Sequence, residues 1–310
     1  MIGIKAIASY VPDQSIDNLE QGRAFGESAE FMRGKIGAVW LARKAADEET
    51  SDLAAEAVRA LVGRTALQPE DIGALIVVTQ NPDESGLPHT AAIVQNKLGL
   101  GAEVAAFDVS LGCSGFVYGL SVMKGLLQET GLVNGVLVTA DPYSKVIDPA
   151  DRVTSLLFGD AATATWIGPD PDWHIGRPLL ETDGSGAANL EVRNGRLSMN
   201  GRQVFNFAAV RVPDQITRLL EREGLVPEDI DYYCIHQGSA AIVNAVARRF
   251  PKVKDRFVLD MLEIGNTVSS TIPLLLEKTL VQRDVRRVLI SGFGVGLSWA
   301  STILTRRDDQ

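Results

Sequence analysis

The chain is short of several things, and each shortage narrows what it can be. Only two cysteines and three histidines occur in 310 residues, and none of them stands at a metal-ligand spacing, which argues against a zinc module and against a disulfide scaffold. Cys113 and Cys234 could form one bridge at most, and the lack of a secretory signal favours reduced thiols. The longest apolar runs, such as Ala74–Val78, are far too short to cross a bilayer. The opening MIGIKAIASYVPD has neither a charged n-region nor a cleavage site and reads as an immediate strand, so a cytoplasmic protein without a membrane partner is expected. Basic charge is not in excess either. A net charge of −9 and a pI near 5.0 argue against nucleic acid as a general partner. What is present, 45% hydrophobic residues at a mean hydropathy of +0.07, describes a folded globular chain with one large core or two equivalent ones.

The sequence is organised around Val104–Leu120, VAAFDVSLGCSGFVYGL. Its first six residues are short, apolar and β-branched, whereas Ser114–Gln128 carries apolar residues at helical spacing, which predicts a buried strand turning into a helix. Cys113 stands at the turn. A thiol at a helix N-terminus faces unpaired N–H groups and the positive end of the helix dipole, and these predict a lowered pKa. Gly112 and Gly115 are expected to let a substrate carbonyl approach the backbone, and the amide of Cys113 is a candidate oxyanion donor. Taken alone, such a cysteine also reads as a small core residue.

In chain order the pattern predicts a strand over 2–8, then a polar region to about Val39 whose Phe31, Met32 and Trp40 suit either a core or a pocket lip. A helix follows from a hydroxyl cap at Thr50, then the loop LQPED, a strand over 74–80, a Pro/Gly-rich loop over 81–89 and a short helix Thr90–Leu98. After the Cys113 helix come a strand over 135–140, the polar loop DPYSKVIDPADRVT and a strand over 161–168. Residues 169–200 are rich in Pro, Gly and Asp and mark the expected boundary between an N-terminal half, 1–168, and a C-terminal half, 169–310. The later LVPEDI nearly repeats LQPEDI, which points to internal duplication of one α/β unit.

Two distant segments bear on Cys113. His236 lies where strand YYCI ends and a helix begins, mirroring the cysteine turn, although a half-buried imidazole fits the same place. Asn266, in EIGNTVSS, sits where an asparagine also serves as a plain turn residue or helix cap. Gly292, Gly294 and Gly296 form G-x-G-x-G between two strands, and because a strand follows, a β-bulge or tight turn is expected instead of a dinucleotide fingerprint.

Together these segments resemble the thiolase superfamily, and most closely the β-ketoacyl-acyl-carrier-protein synthase III family. The matching stretches are AFDVSLGCSGF, DPADR with Arg152, LLFGDAA, IHQGSA, GNTVSSTIP and SGFGVGLSW, in order over nearly the whole chain. The resemblance implies an α/β, thiolase-like fold with a duplicated αβαβα layered architecture, a homodimer, and Cys113, His236 and Asn266 meeting at the end of a tunnel. It implies that Cys113 takes an acyl group from an acyl-CoA, with the amides of Cys113 and Val295 as oxyanion donors. His236 and Asn266 would then stabilise the enolate formed when a malonyl thioester, carried by acyl-carrier protein or CoA, loses CO₂. No metal or cofactor is implied. Phe31, Lys35, Arg152, Phe205, Gly238 and Ser239 fall at positions for substrate or CoA.

Several positions depart from the family pattern. Phe31 replaces a tryptophan that stacks on adenine, and Lys35 replaces an arginine, so less stacking surface and no planar fork are offered to CoA. Leu87 replaces a phenylalanine that crosses the dimer interface to floor the partner's acyl pocket, implying an acyl group longer or bulkier than acetyl. Asn206 and Ala241 replace basic residues of the carrier-protein patch, while Arg248 and Arg249 retain the rest. Val295 replaces a glycine but keeps its N–H. The expected activity is acyl-CoA-primed condensation in fatty acid or specialised lipid or polyketide synthesis. The alternatives are an acyltransferase serving an alcohol or amine, with His236 as base, and a noncatalytic partner subunit.

Overall fold

A computed structural model describes residues 1–307. Strand β1 (Ile2–Tyr10) precedes a paired β2 (Gln14–Asp17) and β3 (Trp40–Arg43), whose connection holds the short helices α1 (Asn18–Ala24) and α2 (Ala29–Phe31) and a π-helical turn over Met32–Ile36. The next unit runs α3 (Thr50–Arg64), β4 (Ile72–Val78), α4 (Thr90–Lys97), β5 (Ala105–Val109), α5 (Gly115–Thr130) and β6 (Asn134–Ala140), then α6 (Arg152–Ser155) and β7 (Ala162–Pro169). Strands β8 (Trp173–Ile175) and β9 (Leu179–Thr182) and the hairpin β10 (Leu190–Arg193) and β11 (Arg196–Met199) lead to the second unit. It consists of α7 (Gly201–Glu223), β12 (Tyr232–Ile235), α8 (Ala240–Ala247), α9 (Thr271–Thr279), β13 (Arg287–Gly294) and β14 (Ser298–Arg306).

Strand β4 shows why the sequence reads as an unbroken apolar run. Ile76 and Val78 enter a core with Phe116 and Leu120 of α5, while Leu75 and Val77 enter another with Leu53 and Leu61 of α3. With both faces covered, alternation disappears. Each such side chain contributes roughly 1.5–3 kcal/mol by leaving water. The same logic sets the layers. Helices α3 and α4 cover the outer face of β1, β4, β5, β6 and β7, and α7 and α8 cover the outer face of the C-terminal strands. Between the two groups, α5 touches β4 and β6 on one side and β13 and β14 on the other, and α9 touches β1 and β7 as well as β12 and β13. The order is αβαβα, assembled by both halves together.

All the large strands hydrogen-bond in one ladder, β12-β13-β14-β8-β1-β7-β6-β4-β5, with β9 on β14. The 169–200 segment is therefore more than a linker: β8 pairs with β1 on one edge and β14 on the other, stitching the halves. Helix α3 begins at Thr50, but its hydroxyl donates to the Asn81 carbonyl instead of capping. Glu49 is the N-cap, its N–H held by Asp52 at 2.9 Å.

The duplication is real in three dimensions. Pro69–Asp71 and Pro227–Asp229 form the same one-turn helix, closed by Asp71 N–H to Gln68 O and Asp229 N–H to Val226 O, both at 3.0 Å. In each unit a parallel pair is followed by an antiparallel one: β4 with β6 then β7, and β12 with β13 then β14. Strand β5 has its counterpart in a single parallel bridge between Tyr233 and Phe257. By this correspondence the turn before α5, carrying Cys113, matches the turn before α9, carrying Asn266. His236, after β12, corresponds to the loop after β4. The expected mirror of Cys113 by His236 is thus corrected: topology pairs the cysteine with the asparagine.

Candidate active site

Each candidate group is set by the end of a buried strand. Cys113 follows β5 and precedes the Ser114 cap of α5. Its floor is the end of β13: a Cβ on Gly292 would stand 2.6 Å from the Cys113 carbonyl, and one on Gly294 would stand 2.7 Å from the sulfur. Those two glycines are required for close approach, while Gly296, at φ +129, turns the chain toward β14. Gly115 has a different task from the one expected, since a Cβ there would meet Val78 Cγ1 at 2.4 Å. It lets α5 start against β4, not a substrate against the backbone.

The thiol is 4% exposed. Burial, and secondarily the carboxyl of Asp141, push its pKa up to about 12, while the N–H groups of Val295 and of Cys113 itself pull the other way. The expected thiolate is corrected: helix-terminal N–H groups do not offset the desolvation of a sulfur sealed from water. Both candidate oxyanion donors nevertheless reach this sulfur.

His236 is 3% exposed, and burial drives its pKa down to about 3, so the imidazole is neutral. The backbone N–H of His236 donates to Ser291 O at 2.8 Å. Nδ1 lies 2.8 Å from the Thr271 hydroxyl, which also reaches Val268 O at 3.0 Å. A hydroxyl both donates and accepts, so Thr271 supports either imidazole tautomer. Asn266 Oδ1 accepts from Val268 N–H at 2.9 Å, which aims the amide Nδ2 elsewhere as a free donor. Val268 itself is β-branched and sits at φ 55, a left-handed conformation costing about 1–3 kcal/mol that these bonds hold in place.

Cys113, His236, Asn266, Phe293 and Gly294 form the inner end of a cavity of about 240 Å³. Phe31, Lys35, Arg152, Phe205, Gly238 and Ser239 line the same cavity, so nine of the sequence candidates share one space. Arg152 is engaged in an ion pair with Glu27. Val295 packs against the cluster through its side chain. Three candidates lie elsewhere: Leu87 does not line the cavity and is 88% exposed, and Arg248 and Arg249 are exposed at the end of α8. Sequence reasoning missed Thr271, which passes for a helix-start residue, and Leu190 and Met199, which the β10–β11 hairpin brings from the supposed boundary. Among the described residues no group of His, Cys, Asp and Glu could hold a metal ion, and no helix is long and apolar enough to cross a membrane.

A thiol, two N–H groups at its sulfur, a neutral imidazole and a free amide donor are the parts of acyl transfer through a covalent thioester. Comparison with known proteins agrees. Residues 107–184 match the family model for 3-oxoacyl-[acyl-carrier-protein] synthase III, and residues 220–306 match the model for its C-terminal part. The β-ketoacyl-[acyl-carrier-protein] synthase III of Lactococcus lactis is 33% identical, the alignment covering 97% of this chain and 98% of that one. The chain belongs to the β-ketoacyl-acyl-carrier-protein synthase III family. The crystal structure of the Thermus thermophilus synthase III superposes with a TM-score of 0.90 at 33% identity, covering 99% of this chain and all of the other. The priming β-ketosynthase of the R1128 polyketide pathway follows at 0.89 and 26%, covering 100% of this chain and 97% of that one. Membership makes this a condensing enzyme on a thiolase fold.

Proposed function

We propose that the enzyme loads an acyl group from an acyl-CoA onto Cys113 and condenses it with a malonyl thioester. The observation that carries this reading is the meeting of Cys113, His236 and Asn266 at the inner end of one tunnel, with the Val295 N–H at the sulfur. In the first step the Cys113 sulfur attacks the thioester carbonyl, the bond to CoA breaks, and the thiol proton passes through His236 to the departing CoA sulfur. The raised thiol pKa makes that transfer concerted with attack, because no thiolate stands ready. In the second step the malonyl carboxylate leaves as CO₂, and its electron pair enters an enolate whose oxygen accepts from Asn266 Nδ2 and from His236 Nε2–H, the neutral tautomer in which the Thr271 hydroxyl turns from Val268 O to donate to Nδ1. The carbanion bonds to the acyl carbon, the Cys113 thioester breaks, and the freed sulfur takes a proton from solvent.

Phe31, Lys35, Arg152, Phe205, Gly238 and Ser239 receive the pantetheine arm and nucleotide, and Arg248 and Arg249 meet an acidic carrier protein. The working unit is a cytoplasmic homodimer. Strand β5 is the open edge of the sheet with all five residues half-buried, and the apolar Leu87 stands out from its loop, both features that a second copy would cover. The test is intact-mass spectrometry after incubation with acyl-CoAs, then with malonyl-carrier protein. The expected result is an adduct on Cys113 that disappears with release of CO₂. An adduct stable to the malonyl donor would make the protein an acyltransferase, and no adduct with any acyl-CoA would point to a carrier-loaded donor or a noncatalytic subunit.

A further inference from the structure

The chain ties up one of the tunnel's own cations. Lys35 and Arg152 are the two cations in a lining otherwise dominated by apolar side chains such as Leu156, Leu157, Met199 and Val204. Glu27 is not part of that lining, yet its Oε1 accepts from Arg152 Nη1. The pair is set from both ends. Glu27 stands on the turn between α1 and α2, where its N–H donates to Gly22 O at 2.9 Å. Arg152 opens α6, whose N-cap Asp151 accepts from Val153 N–H at 3.1 Å and from Thr154 N–H at 3.2 Å. Helix α1 is fastened to the α6 segment in turn: Gln21 Nε2 donates to Ser155 O and Asn18 Nδ2 to Leu156 O, both at 2.9 Å. The Glu27 side chain is 18% exposed and that of Arg152 is 50% exposed, so the acid is the sheltered member.

The phosphates of CoA seek cations, and Arg152 meets them already paired. Parting a half-exposed ion pair costs little, because the guanidinium regains water. The greater cost lies in what parting leaves behind: a sheltered carboxylate without its partner, beside incoming groups of the same sign. We infer that Glu27 is a specificity residue that withholds Arg152 from the CoA nucleotide, so that the acyl donor is recognised through its pantetheine arm. This rests on the proposed loading of Cys113 and refines the part that Arg152 plays in it. The phosphates are left with Lys35, a point charge without a planar fork. The arm meets the rest of the lining, to which Glu27 does not belong.

The test compares wild type, Glu27→Gln and the double variant Glu27→Gln/Arg152→Gln, in which the charges go and the chain length at Glu27 stays. Titration calorimetry with CoA should give a Kd about tenfold lower in Glu27→Gln than in wild type, the size of one freed charge-assisted hydrogen bond, and the gain should vanish in the double variant. Loading of Cys113 is followed by intact mass with acetyl, butyryl and octanoyl groups, each offered as the CoA and as the pantetheine thioester. Wild type should load the CoA thioesters at most about tenfold faster, and Glu27→Gln should raise that ratio about tenfold further. An unchanged CoA affinity in Glu27→Gln, or a gain that persists in the double variant, would overturn the role of Glu27 and leave acyl loading standing. A larger CoA preference already present in wild type would overturn it without recourse to any variant, as would a gain shared equally by the pantetheine thioesters. No adduct on wild type with any donor would instead overturn the loading of Cys113, and the specificity role with it.

Discussion

The turns before α5 and α9 occupy corresponding places in the two halves, yet present opposite chemistry. The N-terminal turn offers a sulfur with backbone N–H groups aimed at it, an electron-rich atom held where an oxyanion would form beside it. The C-terminal turn offers an amide whose oxygen is spent on Val268 N–H, leaving only donors facing the cavity. One architecture thus supplies an attacking group from one copy of the unit and an accepting environment from the other. What separates them is local: at Cys113 the glycines of β13 let another strand pass beneath the residue, and at Asn266 a strained Val268 turns the backbone so that a side chain takes over. Duplication provides two corresponding turns that face one cavity, and the local backbone decides which chemistry each presents.

The most direct way to break this comparison is to delete the attacking atom. Cys113→Ala should abolish adduct formation altogether, while Cys234→Ala should leave it intact. Both thiols are buried with pKa values near 12, so burial and pKa alone do not choose between them. Cys234 contacts Thr279 in the central core and does not line the cavity of Cys113, and its sulfur is influenced by the Thr279 hydroxyl and not by backbone N–H groups. Loss of the adduct in Cys234→Ala with retention in Cys113→Ala would reverse the assignment of the halves.

A smaller effect should come from the C-terminal half, which carries Asn266 before α9 and His236 after β12. Asn266→Ala and His236→Ala are each expected to slow condensation by roughly 10²–10³-fold, the usual cost of one oxyanion donor. Asn266→Ala should leave loading of Cys113 nearly unchanged, because Asn266 acts only on the second substrate, whereas His236→Ala should slow loading as well. Single-turnover loading and overall turnover, measured separately, check this. Equal loss in both steps for Asn266→Ala would mean that the halves do not divide the reaction as described.

Much of this division was legible in the sequence, and its gaps have physical causes. The strand-to-helix turns at Cys113 and His236 were readable because apolar runs switch abruptly from strand to helical spacing there. The LQPEDI and LVPEDI echo located the duplicated unit. The pairing of Cys113 with Asn266 was not readable, because the counterpart of β5 has shrunk to one bridge at Phe257 and leaves no strand pattern. The thiol pKa was misjudged because a helix terminus is visible in sequence and burial is not. The role of 169–200 was missed because three- and four-residue strands such as β8 and β9 are too short to show a period.

The halves also bury titratable groups of opposite kind, which gives a pH test. Asp141, in the N-terminal half, is raised by burial from 3.8 to about 7, and one carboxyl oxygen has no partner. The folded state therefore holds a proton that the unfolded chain has lost, so this contribution to stability is present below about pH 4 and lost as pH rises through about 7. His236, lowered by burial from 6.5 to about 3, has the reverse sign: its contribution is present above pH 6.5 and lost as pH falls toward 3. Asp141→Asn keeps the acceptor for Gln80 and Asn81 and removes the buried charge. It should raise the melting temperature at pH 8, by about 2 kcal/mol of stability, and leave it nearly unchanged at pH 4. A uniform shift at both pH values would show that Asp141 does not ionise in the folded protein.

The smallest effect expected concerns Leu87, a candidate that belongs to neither turn. Leu87 sits at the tip of a loop whose base is fixed: Asp83 binds Ser51 N–H at 2.8 Å and the Ser51 hydroxyl, and Lys145 binds Pro82 O at 2.7 Å. A rigid base with an exposed apolar tip suits a residue whose contacts are made outside its own chain. Leu87→Phe should therefore leave the melting temperature of the isolated fold within about 0.5 kcal/mol of wild type, as surface substitutions do. In the homodimer it should shift the loading profile toward shorter acyl groups by several-fold. An altered profile in a protein shown by light scattering to be monomeric would place Leu87 on its own chain's acyl site, and the two halves of a single chain would then suffice to set chain length.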